Sequence, residues 1–367
     1  MDGYSTEAGA NSVRRGRLGS AAPLNGANNM IPEEIDKDYL KRLTETPSVG
    51  TACGPVVSLL TEFFGDGYAR TLVQDGFCLF QKAGAKPDKL KAVFVAHMDE
   101  IGGCIYGRLP ESKSRYRARF WGTADPKLYA RARLQAMDYL ETSAEPATFE
   151  VTAKPYIEDS AMMRKLSVKV DKGCDGSIQA YRTVFTFKQE TTYDDDYIYA
   201  KAVDPRVTLY AVCEAVRRLD DPAVGALLVM AEECAMDVAR KAVTFLSRRA
   251  PNLNLVVNSD VPGLANLGDA DLDMPAIRIF EGLNFIDPAF GIQTASDLIE
   301  AGVAVHLSAA RSGSQTLLFS PLAPTLSIAL PGENIHTACG KMSLLGTTRC
   351  VDLLTAIGER ELNRKQA

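Results

Sequence analysis

The chain has 367 residues, 46% hydrophobic and 24% charged, a soluble composition with room for one large domain or two smaller ones. A formal net charge of -5 without a long basic run argues against nucleic acid as a partner, and no apolar run approaches the ~20 residues that cross a bilayer. Eight scattered cysteines without a C-x-x-C pair, behind an N-terminus that has two nearby arginines but no apolar signal core, lead us to expect free thiols and a cytoplasmic protein.

Residues 1–32 are rich in Gly, Ala, Asn and Ser without apolar periodicity and read as a mobile tail. A helix is predicted over Glu33–Glu45 and, after a loop containing Pro and Gly, another over Gly54–Phe64 with Val56, Val57, Leu59, Leu60 and Phe63 apolar. Residues 71–81 alternate around Asp75-Gly76, a hairpin signal. The apolar run Ala92–Ala96 is long enough for one buried strand. It stops at His97, Met98, Asp99 and Glu100, with Gly102 and Gly103 letting the chain turn.

From Gly107 the texture changes. Arg115, Arg117, Arg119, Arg131 and Arg133 interrupt short strand-like pieces, and residues 148–154, 166–170 and 183–189 alternate with period two. This is antiparallel β texture, so residues 107–193 are taken as a small β domain inserted into a main domain made of 33–106 and 194–361, with 362–367 as a tail. Its charged stripes read as solvated faces. After Asp194-Asp195-Asp196 the texture returns to strands alternating with helices. Residues 206–219 place Leu209, Val212, Cys213, Val216 and Leu219 on one helical face. The run 226–231 is a buried strand ending at Glu232-Glu233, followed by a helix over 236–249. Another strand, 253–258, ends at Ser259-Asp260; further strands fit 276–280, 303–308 and 324–330, and a terminal helix covers 342–361. The alternation predicts an α/β fold: a mostly parallel sheet with helices on both faces, carrying the small inserted β domain.

Polar residues gather at or just after the strand ends: His97 and Asp99, Asp204, Glu232 and Glu233, Asp260, His336. Ligands of open α/β sheets bind outside the carboxyl ends of the strands. On a strand His97 and Asp99 face the same way; an imidazole is a good ligand for zinc or a similar metal, and a nearby carboxylate can orient it. H-x-D alone is equally a strand end with two solvated polar residues, and each lone acid is equally a helix cap or surface charge. Together, two histidines and three carboxylates could hold two divalent ions with one carboxylate bridging. Of two adjacent glutamates, one can ligate while the other serves as general base. His306, inside VAVHLS, reads as a core or strand histidine. Ser312 and Ser314 lack a G-x-S-x-G elbow and read as loop residues. Gly-rich phosphate loops and a recognisable Cys-His arrangement are absent, and the cysteines default to packing.

These residues carry a resemblance. The sequence resembles the tetrahedral, or glutamyl/deblocking, aminopeptidase family of co-catalytic metallopeptidases over about residues 35–360. The anchors are AHMDEIG at 96–102, KAVDPR at 201–206, AEE at 231–233, SDVPG at 259–263 and NIHT at 334–337, five segments in family order. The resemblance implies a zinc-peptidase-like fold in which His97, Asp204 and Asp260 hold one metal and Asp204, Glu233 and His336 the other, with Asp204 bridging. It makes Glu232 the general base and Asp99 the residue that orients His97. It also implies two divalent ions, zinc foremost with cobalt or manganese as alternatives, a cis bond after the bridging aspartate, and an inserted β domain that helps assemble homo-oligomers from dimers up to dodecamers.

Four segments depart from the family pattern. Asp204-Pro205-Arg206 stands for Asp-Asp-Arg, and Cys234-Ala235-Met236-Asp237 for a Gly-containing segment. Ser312-Gly313-Ser314-Gln315 replaces Gly-Gly-Thr-Asp, and Glu333-Asn334 replaces Arg-Tyr. Every metal ligand is kept, whereas residues lining the substrate region change. The expected function is removal of N-terminal residues from short peptides. The alternatives are a specialised amidohydrolase of a small aminoacyl or acylated metabolite, and a catalytically silent homologue serving as a binding or assembly module.

Overall fold

The first helix begins where the sequence supplies a cap. Asp36 accepts the Tyr39 N–H at 2.8 Å, and α1 (Lys37–Glu45) follows, burying Tyr39, Leu40 and Leu43 at helical spacing. The computed structural model describes residues 34–121, 132–155, 165–170, 178–267 and 270–364; the tail expected over 1–32 lies outside them. α2 (Gly54–Phe64) opens with Pro55 in its first turn, where a missing N–H costs nothing. The hairpin β1 (Tyr68–Val73) and β2 (Phe77–Lys82) turns at Asp75, whose φ is 51°. β3 (Ala92–His97) is buried along its whole length.

Gly102 and Gly103 then admit the chain to a second core. A Cβ on Gly102 would lie 2.4 Å from the Phe185 carbonyl oxygen, so only glycine passes here. β4 (Gly103–Arg108), β5 (Arg115–Phe120), β6 (Arg133–Asp138), β7 (Phe149–Pro155), β8 (Lys165–Val170) and β9 (Thr183–Phe187) close into an antiparallel barrel in the order β4-β5-β8-β7-β6-β9. Period two explains it: Tyr116, Ala118 and Phe120 of β5 point inward, joined by Leu134, Val151, Val168 and Phe185, while Arg115 and Arg119 face out.

The remaining elements are β10 (Thr192–Tyr193), β11 (Tyr197–Ala200), α3 (Val203–Leu219), β12 (Val224–Val229), α4 (Glu232–Ala235), α5 (Ala239–Arg249), β13 (Leu255–Asp260), β14 (Ala276–Glu281), β15 (Asn284–Phe285), α6 (Pro288–Glu300), β16 (His306–Ala310), α7 (Thr316–Phe319), β17 (Thr325–Ala329), β18 (Gly340–Ser343) and α8 (Leu344–Asn363). The main sheet runs β1-β2-β12-β3-β13-β17-β14-β15, with β16 beside β14. Its centre, β12, β3, β13 and β17, is parallel, whereas β2 against β12 and β14 against β17 are antiparallel. The sheet is therefore less uniformly parallel than the alternation implies, because apolar periodicity reports burial and not strand direction.

Helices cover both faces. Phe94, Ala96, Ala226, Leu228 and Val257 pack with Val207, Ala211, Leu353 and Leu354 of α3 and α8. Val93, Val95, Leu227, Val229 and Val256 pack on the other face with Ala242, Leu246 and Phe319. This two-sided burial is why the central strands read as continuous apolar runs. α6 is absent from the sequence reading because its buried residues include Gly291, Thr294 and Ala295 while Ile292 and Ile299 are exposed, which blurs the periodicity. The helix expected at 236–249 is α5, preceded by the short α4, and the strand expected at 303–308 is β16, which starts three residues later and runs to Ala310. Among the described residues no helix is long and apolar enough to cross a membrane, and seven cysteines are free thiols.

Candidate metal centre

Adjacent strands β12, β3 and β13 release their chain ends side by side. His97 is the last residue of β3 and Asp260 the last of β13. Met98 donates its N–H to the Val229 carbonyl at 2.8 Å, keeping β12 alongside as it runs on to Glu232 and Glu233. Asp204 and His336 come from outside the main sheet through the β11–β18 pair, in which Ala200 faces Gly340. A Cβ on Gly340 would lie 2.4 Å from Val203 Cγ2, so the glycine lets the two ligand segments approach. Asp204 sits in the first turn of α3 with extended angles (φ -88°, ψ 111°), as a residue before proline requires. The Asp204–Pro205 bond is cis, as the resemblance implies. Ala202, Ala231, Asn334 and His336 adopt positive φ, a conformation that costs a non-glycine residue ~1–3 kcal/mol and clusters at functional sites.

Among the described residues the donor atoms fall into two groups, His97 with Asp204 and Asp260, and Asp204 with Glu233 and His336. Asp204 belongs to both: its Oδ1 lies 3.1 Å from His97 Nε2 and its Oδ2 3.0 Å from His336 Nε2. His336 Nε2 is also 3.0 Å from Glu233 Oε1, and His97 Nε2 is 3.6 Å from Asp260 Oδ1. Glu232 stands in neither group. Asp99 places Oδ1 3.4 Å from His97 Nδ1, while its two oxygens accept the backbone N–H groups of Glu232 and Glu233 at 2.9 and 3.2 Å. His306 opens β16 and belongs to neither donor group; Ser314 is buried in a loop and hydrogen-bonds Glu281.

The electrostatics follow from packing acids and imidazoles together away from water. Burial alone would lower the His97 and His336 pKa values, but the facing carboxylates outweigh it; Asp204 and Glu233 push His336 up to about 11. Burial opposes ionisation of Asp204, yet His336 and His97 hold its carboxyl well below the usual range. Glu232 is raised well above an ordinary glutamate, first by burial and then by Asp260, Glu233 and Asp204, with His97 opposing. Burial likewise raises Glu233, offset in part by His336. The donor set fits a pair of divalent ions. Two imidazoles and three carboxylates are ligands that zinc, cobalt and manganese accept, and the buried Glu233 Oε1, without a well-aligned hydrogen bond, is an oxygen a cation would satisfy.

The sequence reading assigns no role to the buried charges that brace this centre. Glu100 accepts hydrogen bonds from Lys201 Nζ at 2.5 Å, Thr186 Oγ1 at 2.8 Å and the Ser48 N–H at 3.2 Å. Arg206 donates to the Leu43 carbonyl at 3.1 Å, to Ser48 Oγ at 2.8 Å and to the Met98 carbonyl. Lys201 and Arg206 flank Asp204, and Glu100 lies three residues past His97. The only signal was their place inside the anchors KAVDPR and AHMDEIG.

No protein-family model matches the chain, and no curated protein does. Solved structures do. A TET aminopeptidase from a marine-sediment Thaumarchaeota archaeon is 13% identical with a TM-score of 0.73, covering 87% of this chain and 94% of that one. The TET1 peptidase of Pyrococcus horikoshii is 16% identical with a TM-score of 0.72, covering 87% of this chain and 98% of that one. An aminopeptidase from the archaeon Desulfurococcus kamchatkensis is 18% identical with a TM-score of 0.70, covering 88% and 94%. At such identities likeness speaks for architecture, and the architecture is clear: this chain has the fold of the TET aminopeptidases, the family its sequence resembles.

Proposed function

We propose that this protein is a dinuclear metal-dependent aminopeptidase that removes N-terminal residues from short peptides. His97, Asp204 and Asp260 would hold one divalent ion, and Asp204, Glu233 and His336 the other. The observation that carries this reading is the pair of donor groups sharing Asp204, with Glu232 a member of neither but interacting electrostatically with His97, Asp260, Glu233 and Asp204. When bound, the ions supply Lewis acidity that activates water and polarises the carbonyl. Glu232 takes a proton from the attacking water and gives it to the departing amine, so a C–O bond forms as the C–N bond breaks and the new N-terminus leaves neutral. Burial and the neighbouring carboxylates raise the Glu232 carboxyl above an ordinary glutamate, the direction that strengthens it as a base toward water. Asp99, through the Glu232 and Glu233 backbone, fixes where base and ligand stand.

A second reading, hydrolysis of one small aminoacyl or acylated metabolite, is favoured by the loop that replaces Gly-Gly-Thr-Asp. Its Ser314, with the adjoining Thr316, is drawn into a buried cluster around Glu281 and Asn258. A silent homologue has no chemical need to keep Glu232. We further propose that the barrel carries the principal self-association surface; the Pyrococcus horikoshii TET1 peptidase can assemble into a tetrahedron or an octahedral shell. The test is turnover of aminoacyl-anilides after chelation and reloading with zinc, cobalt or manganese. Metal-restored release of the amine supports the first reading. No turnover on any anilide, with release from small acylated amines, supports the second.

A further inference from the structure

Asp260 presents its two oxygens to different partners. Oδ1 lies 3.6 Å from His97 Nε2, inside the first donor group, while Oδ2 lies 3.4 Å from Arg278 Nη2. Arg278 reaches it from β14, two strands away across β17, with its side chain fully buried. The register explains the reach. Arg278 pairs with Ser327 on β17, and Ser327 pairs with Asn258 on β13, two residues before Asp260. Side chains two apart on a strand share a face, so Arg278, Ser327, Asn258 and Asp260 stand on one side of the sheet.

A buried guanidinium needs counter-charge and acceptors. Nη2 lies 2.7 Å from Glu281 Oε1, and Nε donates to Ser327 Oγ at 2.8 Å. Glu281 is pinned in turn: Ser314 Oγ donates to it at 3.0 Å and Ser327 Oγ at 2.5 Å. Nη1, however, is buried without a hydrogen-bond partner. A cation kept for stability alone is expected to be fully paired; one left partly unsatisfied beside a metal site fits a functional constraint.

We propose that Arg278 is a positioning residue for the first metal. It holds Oδ2 of Asp260 so that Oδ1 alone is left to the cation, and Glu281 neutralises a positive charge that would otherwise repel that cation. The planar fork of arginine serves Asp260, Glu281 and Ser327 together, which a lysine ammonium does not reproduce. The proposal rests on the metal reading above and adds a residue that neither the sequence motifs nor the donor groups contain.

The experiment measures zinc content and affinity by chelator competition, together with Tm of metal-free and zinc-loaded protein, for wild type, Arg278→Met and Arg278→Lys. Wild type is expected to bind two ions. Arg278→Met should keep one at wild-type affinity and weaken the other by ~10–100-fold, the usual effect of removing a group that orients a ligand, and should lose part of the Tm increase that zinc gives. Arg278→Lys should fall between. Arg278→Met that binds both ions within about twofold of wild type, with Tm lowered equally with and without zinc, makes Arg278 structural and overturns the proposal while leaving the metal reading intact. Wild type that binds no ion overturns both. Should Arg278→Met fail to fold, Glu281→Gln removes the counter-charge and leaves the guanidinium. It should weaken the same ion, and unchanged affinity there overturns the proposal.

Discussion

Asp99 caps the turn that begins at Glu232: its Oδ1 accepts the Glu232 backbone N–H at 2.9 Å across 133 residues of chain. The neighbouring Glu233 N–H bonds the other oxygen at 3.2 Å. At the start of α4 neither donor has an intrahelical acceptor, so Asp99 does for a short helix what a cap residue does locally, but from beyond the end of another strand. The residue two positions after His97 thereby sets the position of Glu232 and Glu233. Asp99→Ala leaves two N–H groups without their acceptor and should cost ~1–3 kcal/mol per buried donor, with turnover falling as well. Asp99→Asn, which keeps one acceptor, should lose less. Thermal unfolding and turnover check this together; an Asp99→Ala protein with normal turnover would detach Asp99 from the site.

Glu232 and Glu233 should fail in different ways. Glu232→Gln keeps size and hydrogen bonding but cannot take a proton, and general-base catalysis is typically worth ~10²–10⁴-fold, so turnover should drop by at least that order with both metals bound. Glu233→Gln should instead lose the second metal, with activity partly rescued by excess metal, and His97→Ala should weaken the first. Metal content and turnover measured on the same preparation decide between them. Normal turnover in Glu232→Gln would refute the assigned mechanism, and metal loss matching Glu233→Gln would mean the two roles are reversed.

What the sequence made legible was whatever a strand's own pattern records. Unbroken apolar runs mark strands buried on both faces, and the polar residues that end them, His97, Asp260 and the Glu232-Glu233 pair, mark the carboxyl edge of the sheet. Period two in the insertion marked β7, β8 and β9, whereas β4 begins before residue 107, where the insertion was expected to start. Hidden were the relations between distant segments. Nothing local says that Ala200 pairs with Gly340, which is what brings Asp204 to His336. Lys201, Arg206, Arg278 and Glu281 draw no role from the sequence because charged residues are seldom fully buried unless paired, and the groups that Arg278 and Arg206 reach, Asp260 and the Leu43 carbonyl, lie 18 and 163 residues away. Asp99 was legible as a site residue, while its hold on the Glu232 turn was visible only in three dimensions.

Alkaline pH should destabilise the fold through its buried thiols and phenols. Burial pushes the Cys78 and Cys350 thiols up to about 12. An unfolded chain ionises a thiol near ~8.5, so between that value and the folded pKa the unfolded state binds fewer protons. The contribution is therefore complete below ~8.5 and lost as pH rises, by ~1.4 kcal/mol per pH unit for each thiol. Tyr68 and Tyr139, also raised to about 12 by burial, should add to the loss above the ordinary phenol range. Tm should fall more steeply above the ordinary thiol range than below it, with Cys350→Ala starting lower but falling less. A Tm that stays level well into the alkaline range would contradict the assignment.

Assembly should separate from the fold of the main sheet. The barrel has an apolar core of its own, built on Ile105, Phe120, Leu134 and Phe185, and the main sheet packs its helices without it. The two are nonetheless tied where Thr186 donates to Glu100 at 2.8 Å and to the Ile101 carbonyl at 3.0 Å, and where Val49 and Ala52 pack against Met137 and Val184. Replacing residues 103–187 by a short linker removes that hydroxyl and leaves a buried carboxylate oxygen short of a donor, at a cost of ~1–3 kcal/mol. The excised protein should therefore unfold at a lower temperature than wild type while keeping its α/β circular dichroism. If the barrel carries the main contact between copies, light scattering should give a monomer for the excised chain and a larger assembly for the full one. An equal number of subunits per particle would place the contact on the main sheet or its helices instead.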